Sequence, residues 1–375
     1  MKGPRQDTVP RTRLLRFAVF ALAALVVLSL GFVLVPAEKP APAEPPFSEQ
    51  ARAAALTAAL DLRAAGLKLT STGDANPAAL DPVVTLLTIQ ARALMVPAAG
   101  SATAAAHTSP PPTAPHASTD GPRNLAELVL ALADSGRTRV KDAETADGGM
   151  ARLLAGAGTA QLIAAGRLAA ATAVPLPQEA AGTDAEVPGT SATASSCPSP
   201  SAPAARESTR PGTPPGTRQA LAAAISAEQQ AVYGYQAALP RLAPAETGTA
   251  AEFLARHKEL AGAAEERLRL ACGGYVPQQP GYVLDPGFLV APGAALGKLE
   301  AATLASYGDV VAVSQGQDRR WALAALQAAA RRAQRWGADP GPVPGLTLDA
   351  GQLPALPPDD ALPSGTGQTP SPATS

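Results

Sequence analysis

Residues 227–236 read AEQQAVYGYQ, and the position of Glu228 in that run decides how the chain is read. Working outward, Leu221, Ile225, Glu228, Val232, Tyr235 and Leu239 follow one another at spacings of 4, 3, 4, 3 and 4. That period places them all on one face of an α-helix. The other members are apolar or aromatic, so the face is the buried one and Glu228 is expected to point inward with it. A buried carboxylate is costly unless it is protonated, paired with a cation, hydrogen-bonded or bound to metal. Neighbouring helices therefore have to supply its partner.

The next helix repeats the pattern. Phe253, His257, Leu260, Ala264 and Leu268 share a stripe, which turns His257 towards the same seam. A tight hairpin near residue 242 sets position 228 opposite 256 or 257. A helix opening instead at the Thr249/Glu252 capping box would slip that level by about a turn. A third helix carries Glu300 in one stripe with Leu304, Tyr307 and Val311. The fourth has no carboxylate or histidine after its capping Asp318, and presents Arg331, Arg332 and Arg335.

Two chemistries fit this set. Arg332, with Tyr233, Tyr235 and Tyr307 as hydrogen-bond partners, satisfies the carboxylates in a core that needs no cofactor. Alternatively Glu228, His257 and Glu300 form a partial metal site, of ligand types that iron, manganese or zinc accept, in a protein with oxidase or storage activity. Neither reading supplies a catalytic residue. The histidine has no nucleophile in its motif, so the sequence leans away from an enzyme.

The helices that carry these residues run from 217 to about 239, on to 271, from 292 to 314, and from 318 to 336. The first and last connections are short, which makes antiparallel neighbours. The middle one, GGYVPQQPGYVLDPGFLV, is long enough at ~3.3 Å per residue to run the length of a ~30 Å helix. One long central crossover makes the second and third helices parallel, the ferritin-like arrangement. With AEQQAVYGYQ, ARHKELAGAAEERLRL and KLEAATLASYGDVVA, residues 217–345 resemble a ferritin-like domain family of unknown function from exported or membrane-anchored proteins of high-GC bacteria. The resemblance implies an ancestry among carboxylate-bridged metal proteins and no particular activity. Di-iron members of the fold use Glu-x-x-His on two helices. Here Leu254 stands three residues before His257, and the fourth helix has no ligand.

The rest of the chain is alanine-rich, with 39 Pro and 33 Gly and only 3% aromatic residues. Alanine favours helices over strands, so an all-α chain with close helix contacts is expected. Residues 1–16 are a basic segment, and residues 17–35, FAVFALAALVVLSLGFVLV, form an uncharged run long enough to cross a hydrocarbon core of roughly 30 Å. The preceding Lys2, Arg5, Arg11, Arg13 and Arg16 put the N-terminus in the cytoplasm and the remainder outside, in the cell envelope. Cleavage near Ala43, giving a secreted protein, is the alternative. The expected partners are thus the membrane, through residues 17–35, and an envelope protein. A net charge of −1 and the lack of a basic cluster argue against nucleic acid.

A Pro-rich stalk at 36–46 leads to a small bundle at 47–173, with helices at 48–69, 77–95, 125–133 and 139–172 and a low-complexity loop at 98–122. Asn124 and Glu127 read as a capping box, and Gly156, Gly158 and Gly166 as close-packing positions. Residues 174–216 are a linker, 217–340 the four-helix bundle, and 341–375 a disordered tail. Cys197 and Cys272, both on the exported side, are candidates for a disulfide. His107 and His116 have no expected role, and Trp321 and Trp336 read as core anchors.

Overall fold

A computed structural model describes residues 17–25, 44–72, 77–95, 121–176, 216–284 and 286–357, and among these every regular element is helical. The chain divides into residues 1–45 and residues 46–375. In the first unit, residues 17–25 are helical and exposed. The basic segment 1–16, residues 26–35 of the expected membrane span and the stalk as far as residue 43 lie outside the described residues, as do Cys197, His107 and His116.

The second unit begins with α1 (Phe47–Ser71), α2 (Pro77–Met95), α3 (Leu125–Thr145) and α4 (Gly148–Thr172). It continues with α5 (Thr217–Ala238), a 3₁₀ turn at Leu239–Arg241, α6 (Pro244–Leu270), α7 (Pro286–Val290), α8 (Pro292–Val313) and α9 (Gly316–Arg335). The capping box forms: the Asn124 side chain accepts from the Glu127 N–H at 2.9 Å, and the Glu127 carboxylate reaches back to the Arg123 N–H at 2.8 Å. Orphan donors at the start of α3 are thereby satisfied. The short α7, inside the crossover, carries the buried Phe288 and has no periodicity long enough to read from sequence.

Several expected boundaries move: the helix read from 139 begins at Gly148, and the last helix, read as capped by Asp318, begins at Gly316 with Gln315 at its cap position. The helix read as ending at Ala133 continues through Ser135 and Gly136 to Thr145. Gly136 does not break α3; its missing side chain lets α4 approach, since a Cβ there would sit 2.9 Å from the Gly158 carbonyl oxygen. The tail expected to be disordered from 341 onward is placed as far as Leu356 and Pro357. It forms a strap. Gln90 Nε2 donates to the Pro342 carbonyl at 2.8 Å, Arg152 Nε to Gly345 at 2.7 Å, and Arg92 to Ala350, Leu353 and Pro354. Backbone carbonyls that periodicity arguments ignore are what hold it.

The two expected bundles share one core. Leu94, Met150 and Leu154 pack in the same cluster as Ile225, Leu260, Leu304, Trp321 and Leu326, with α4 packed directly on α8. A second cluster, around Leu80, Leu87, Leu128, Leu132 and Leu168, belongs to α1–α4. Both α2 and α4 are long and apolar enough to cross a membrane by length and composition, and both are packed into this unit.

Small residues set the distances between these helices. A Cβ on Gly308 of α8 would run into the Gly345 carbonyl oxygen of the strap. Alanine is the better helix former by ~1 kcal/mol, but overpacking against backbone costs ~1–3 kcal/mol. Gly308→Ala is therefore expected to lower stability by about 1 kcal/mol net. A urea midpoint at or above wild type would show that the strap moves aside freely.

Candidate functional site

Glu228 on α5, His257 on α6 and Glu300 on α8 meet in the interior, each with no exposed surface. The helix stripes put them there, and the hairpin sets their level. Because α6 starts at Pro244, the tight turn operates and position 257 faces position 228. Glu228 meets Tyr307 while Tyr235, two turns on, meets Glu300, so α5 and α8 are antiparallel. The short hairpins α5–α6 and α8–α9 then leave α6 and α8 parallel, joined by the long crossover.

The imidazole bridges the two carboxylates. His257 Nδ1 lies 2.7 Å from Glu228 Oε2, and Nε2 lies 2.8 Å from Glu300 Oε1. With both glutamates ionised, the carboxylate oxygens on the two nitrogens are satisfied together only if both nitrogens carry protons, which makes the ring an imidazolium. Burial alone would depress His257, but the Glu300 and Glu228 carboxylates outweigh it and hold the ring at about 9. Burial would likewise raise Glu300, yet the Arg332 guanidinium and His257 bring it down to about 2.

Arg332 is the cation that α9 contributes. Its Nε is 3.0 Å from each oxygen of Glu300. Two carboxylates, one imidazolium and one guanidinium leave the cluster neutral, the condition under which charges persist in an apolar interior. Tyrosines complete it. Tyr307 donates to Glu228 Oε1 at 2.6 Å and Tyr235 to Glu300 Oε1 at 2.7 Å, while Trp336 Nε1 donates to the Tyr235 hydroxyl at 2.7 Å. Burial and the adjacent carboxylates push both phenols upward, so they stay donors.

The arrangement does not fit a metal centre. The carboxylate oxygens facing His257 lie on opposite edges of its ring, so the three groups do not converge on one point. No ring nitrogen is left with a lone pair to offer. Among the described residues, no cluster of three or more His, Cys, Asp or Glu side chains has the spacing to hold a metal ion.

Tyr233, expected as a partner, is not part of the cluster. Two residues before Tyr235, it lies about 200° around the helix, and its ring packs against Tyr282, tilted by 57° with centroids 5.5 Å apart. Trp336, read from the sequence as a core anchor, joins the cluster through the Tyr235 hydroxyl, a role that periodicity does not show. Trp336 follows the last residue of α9, where no stripe predicts an inward direction. Outside the cluster, Arg267 borders the His257 stripe; it is buried, stacked on Trp321 at 4.5 Å and paired with Asp318 at 3.4 Å. Cys272 is disulfide-bonded.

Tyr307→Phe removes the hydroxyl and leaves Glu228 Oε1 without that donor. A loss of about 1–3 kcal/mol in urea unfolding is expected. No measurable loss would mean that another donor reaches Glu228.

No curated protein and no solved structure matches the chain. Residues 220–348, from α5 to the strap and including every residue of the charged cluster, match the family described as a domain of unknown function (DUF4439).

Proposed function

We propose that the protein is a membrane-anchored component of the cell envelope whose ferritin-like domain acts as a structural or binding module, its ancestral di-metal centre replaced by a fixed ionic core. The observation that carries this reading is the bridging imidazolium. His257 occupies the position of a ligand, yet spends both nitrogens on Glu228 and Glu300, while Arg332 supplies the second positive charge. A metal ion would have to displace a proton from His257 and share the carboxylates with a guanidinium. The parallel α6 and α8 and the long crossover support the ferritin-like assignment. The charge-free run at 17–35, after five basic residues, supports the anchor and its orientation.

The test is metal content by plasma mass spectrometry on the full chain purified in detergent, beside Glu228→Ala. The expected result is no stoichiometric iron, manganese or zinc in either, with the variant less stable. About one or two equivalents in the wild type, lost in the variant, would establish a metal-binding protein using Glu228, His257 and Glu300 and overturn the reading.

A further inference from the structure

We propose that the crossover between α6 and α8 docks on the lipid surface through Val283, Leu289 and Val290. The inference rests on the anchored reading above, which supplies the bilayer.

Exposure singles the segment out. Val283 is 99% exposed, Val290 85% and Leu289 51%, with Tyr275 of the same crossover at 82%. Elsewhere among the described residues of 46–375, the exposed large apolar side chains are Phe47, Leu67 and Leu130, none above 45%. Single apolar side chains are ordinary on a protein surface, but several gathered in one short segment mark a contact. The crossover, residues 271–291, holds one charged residue, Asp285, which lies outside the described residues.

The fold holds these side chains outward. Phe288 is buried in a cluster with Tyr235, Leu242 and Leu296, which fixes α7 on the bundle. Leu289 and Val290 follow it at about 100° and 200° around the helix axis, and both are exposed. Pro286 and Pro292 bracket the turn and restrict the backbone that would have to move to bury them.

Size and reach select the occupant. Three side chains are few beside the roughly 20–30 residues a side of a stable protein interface. A bilayer asks for no shape complementarity, and binding to it scales with the apolar area inserted. The stalk joins α1 at the end of the bundle where α9 starts: the Asp147 N–H donates to Ser48 Oγ at 2.8 Å, and Arg319 donates to the Ala146 carbonyl. The short α7 lies at the other end, with Phe288 in one cluster with Trp336, the residue after α9. Those ends are ~30 Å apart along the 20-residue α9. The 11 residues of the stalk, 36–46, can extend to ~36–40 Å. Residues 283–290 are therefore within reach of the membrane that holds residues 17–35. The encounter is intramolecular, so a weak contact suffices. Exposed Arg241, Lys298 and Arg335 share this end with Glu246 and Asp339, a mixed set that selects no lipid charge.

The test reconstitutes the full chain in phosphatidylcholine vesicles, with and without bromine on the acyl chains, and reads a tryptophan placed at Val290, Val283 or Leu130. Leu130, on α3, is the control for tryptophan drawing the tethered unit down by itself. After subtraction of the wild-type emission, Val290→Trp and Val283→Trp are expected to shift to shorter wavelength. Each should lose about half its intensity to brominated lipid, as fits a side chain ~5–10 Å into the headgroup boundary. Leu130→Trp should do neither. Leu289→Ser together with Val290→Ser should cut the quenching of Val283→Trp severalfold, with far-ultraviolet circular dichroism confirming the fold. Flotation on a density gradient separates the two readings. A chain that does not float with the vesicles would overturn the anchor and the docking with it. A floating chain in which Val290→Trp and Val283→Trp are quenched no more than Leu130→Trp would overturn the docking alone. A shift that ignores bromine and grows with the protein-to-lipid ratio would assign the patch to a second copy of the chain and overturn the docking as well.

Discussion

Arg332→Met is expected to destabilise the folded chain by about 3–5 kcal/mol, the penalty for leaving one member of a buried ion pair uncompensated. Arg332 Nε lies 3.0 Å from both Glu300 oxygens, and Glu300 is fully buried. Once the guanidinium is gone, Glu300 keeps its contacts to His257 and Tyr235, but the cluster carries a net negative charge in a low-dielectric interior. Glu300→Gln in the same background should recover part of the loss, because the double variant no longer buries the excess charge. Arg332→Lys should recover less, since an ammonium lacks the planar fork and places its charge differently. Urea unfolding at constant m-value measures all three. A loss below about 1 kcal/mol for Arg332→Met, in the range of an exposed pair, would mean that water reaches Glu300.

Stability should fall on both sides of a mildly acidic optimum. His257 is raised in the folded state, from 6.5 to about 9. Its contribution is therefore fully present below pH 6.5 and is lost as pH climbs through 9. Glu300 is depressed, from 4.5 to about 2, so its contribution is present above pH 4.5 and disappears as pH drops through 2. Each limb is on the order of 3 kcal/mol, from 1.36 kcal/mol per pH unit. Urea midpoints for wild type and His257→Gln across this range isolate the alkaline limb, which should be missing from the variant. A wild-type profile that stays flat from pH 6.5 to 9, or a variant that retains the slope, would show that the ring is not held as an imidazolium.

Much of the site was legible because a helix repeats every 3.6 residues. Counting along AEQQAVYGYQ turns Glu228 and Tyr235 inward, and the same count turns His257, Glu300 and Tyr307 towards them; all five are buried. Tyr233 failed as a partner by that same arithmetic, which excludes a residue two positions from Tyr235. The choice among Arg331, Arg332 and Arg335 was harder. Successive residues on α9 differ by only 100°, and which one reaches Glu300 depends on how α8 and α9 are rotated and staggered.

Residue order alone settles the helical class, the inward face of each long helix of the site and the identities of the charged residues on those faces. These depend on residue type and on angle about one helix axis. It takes the packed helices to show that one imidazole spans both carboxylates, that Arg332 pairs with Glu300, that Trp336 closes the chain of donors and that the strap joins α1–α4 to the rest. Those outcomes depend on axial level and on distances between helices. Both are set by turn geometry and by side chains remote in sequence, such as the glycines at 136, 158 and 308, and no periodicity within a single helix encodes them.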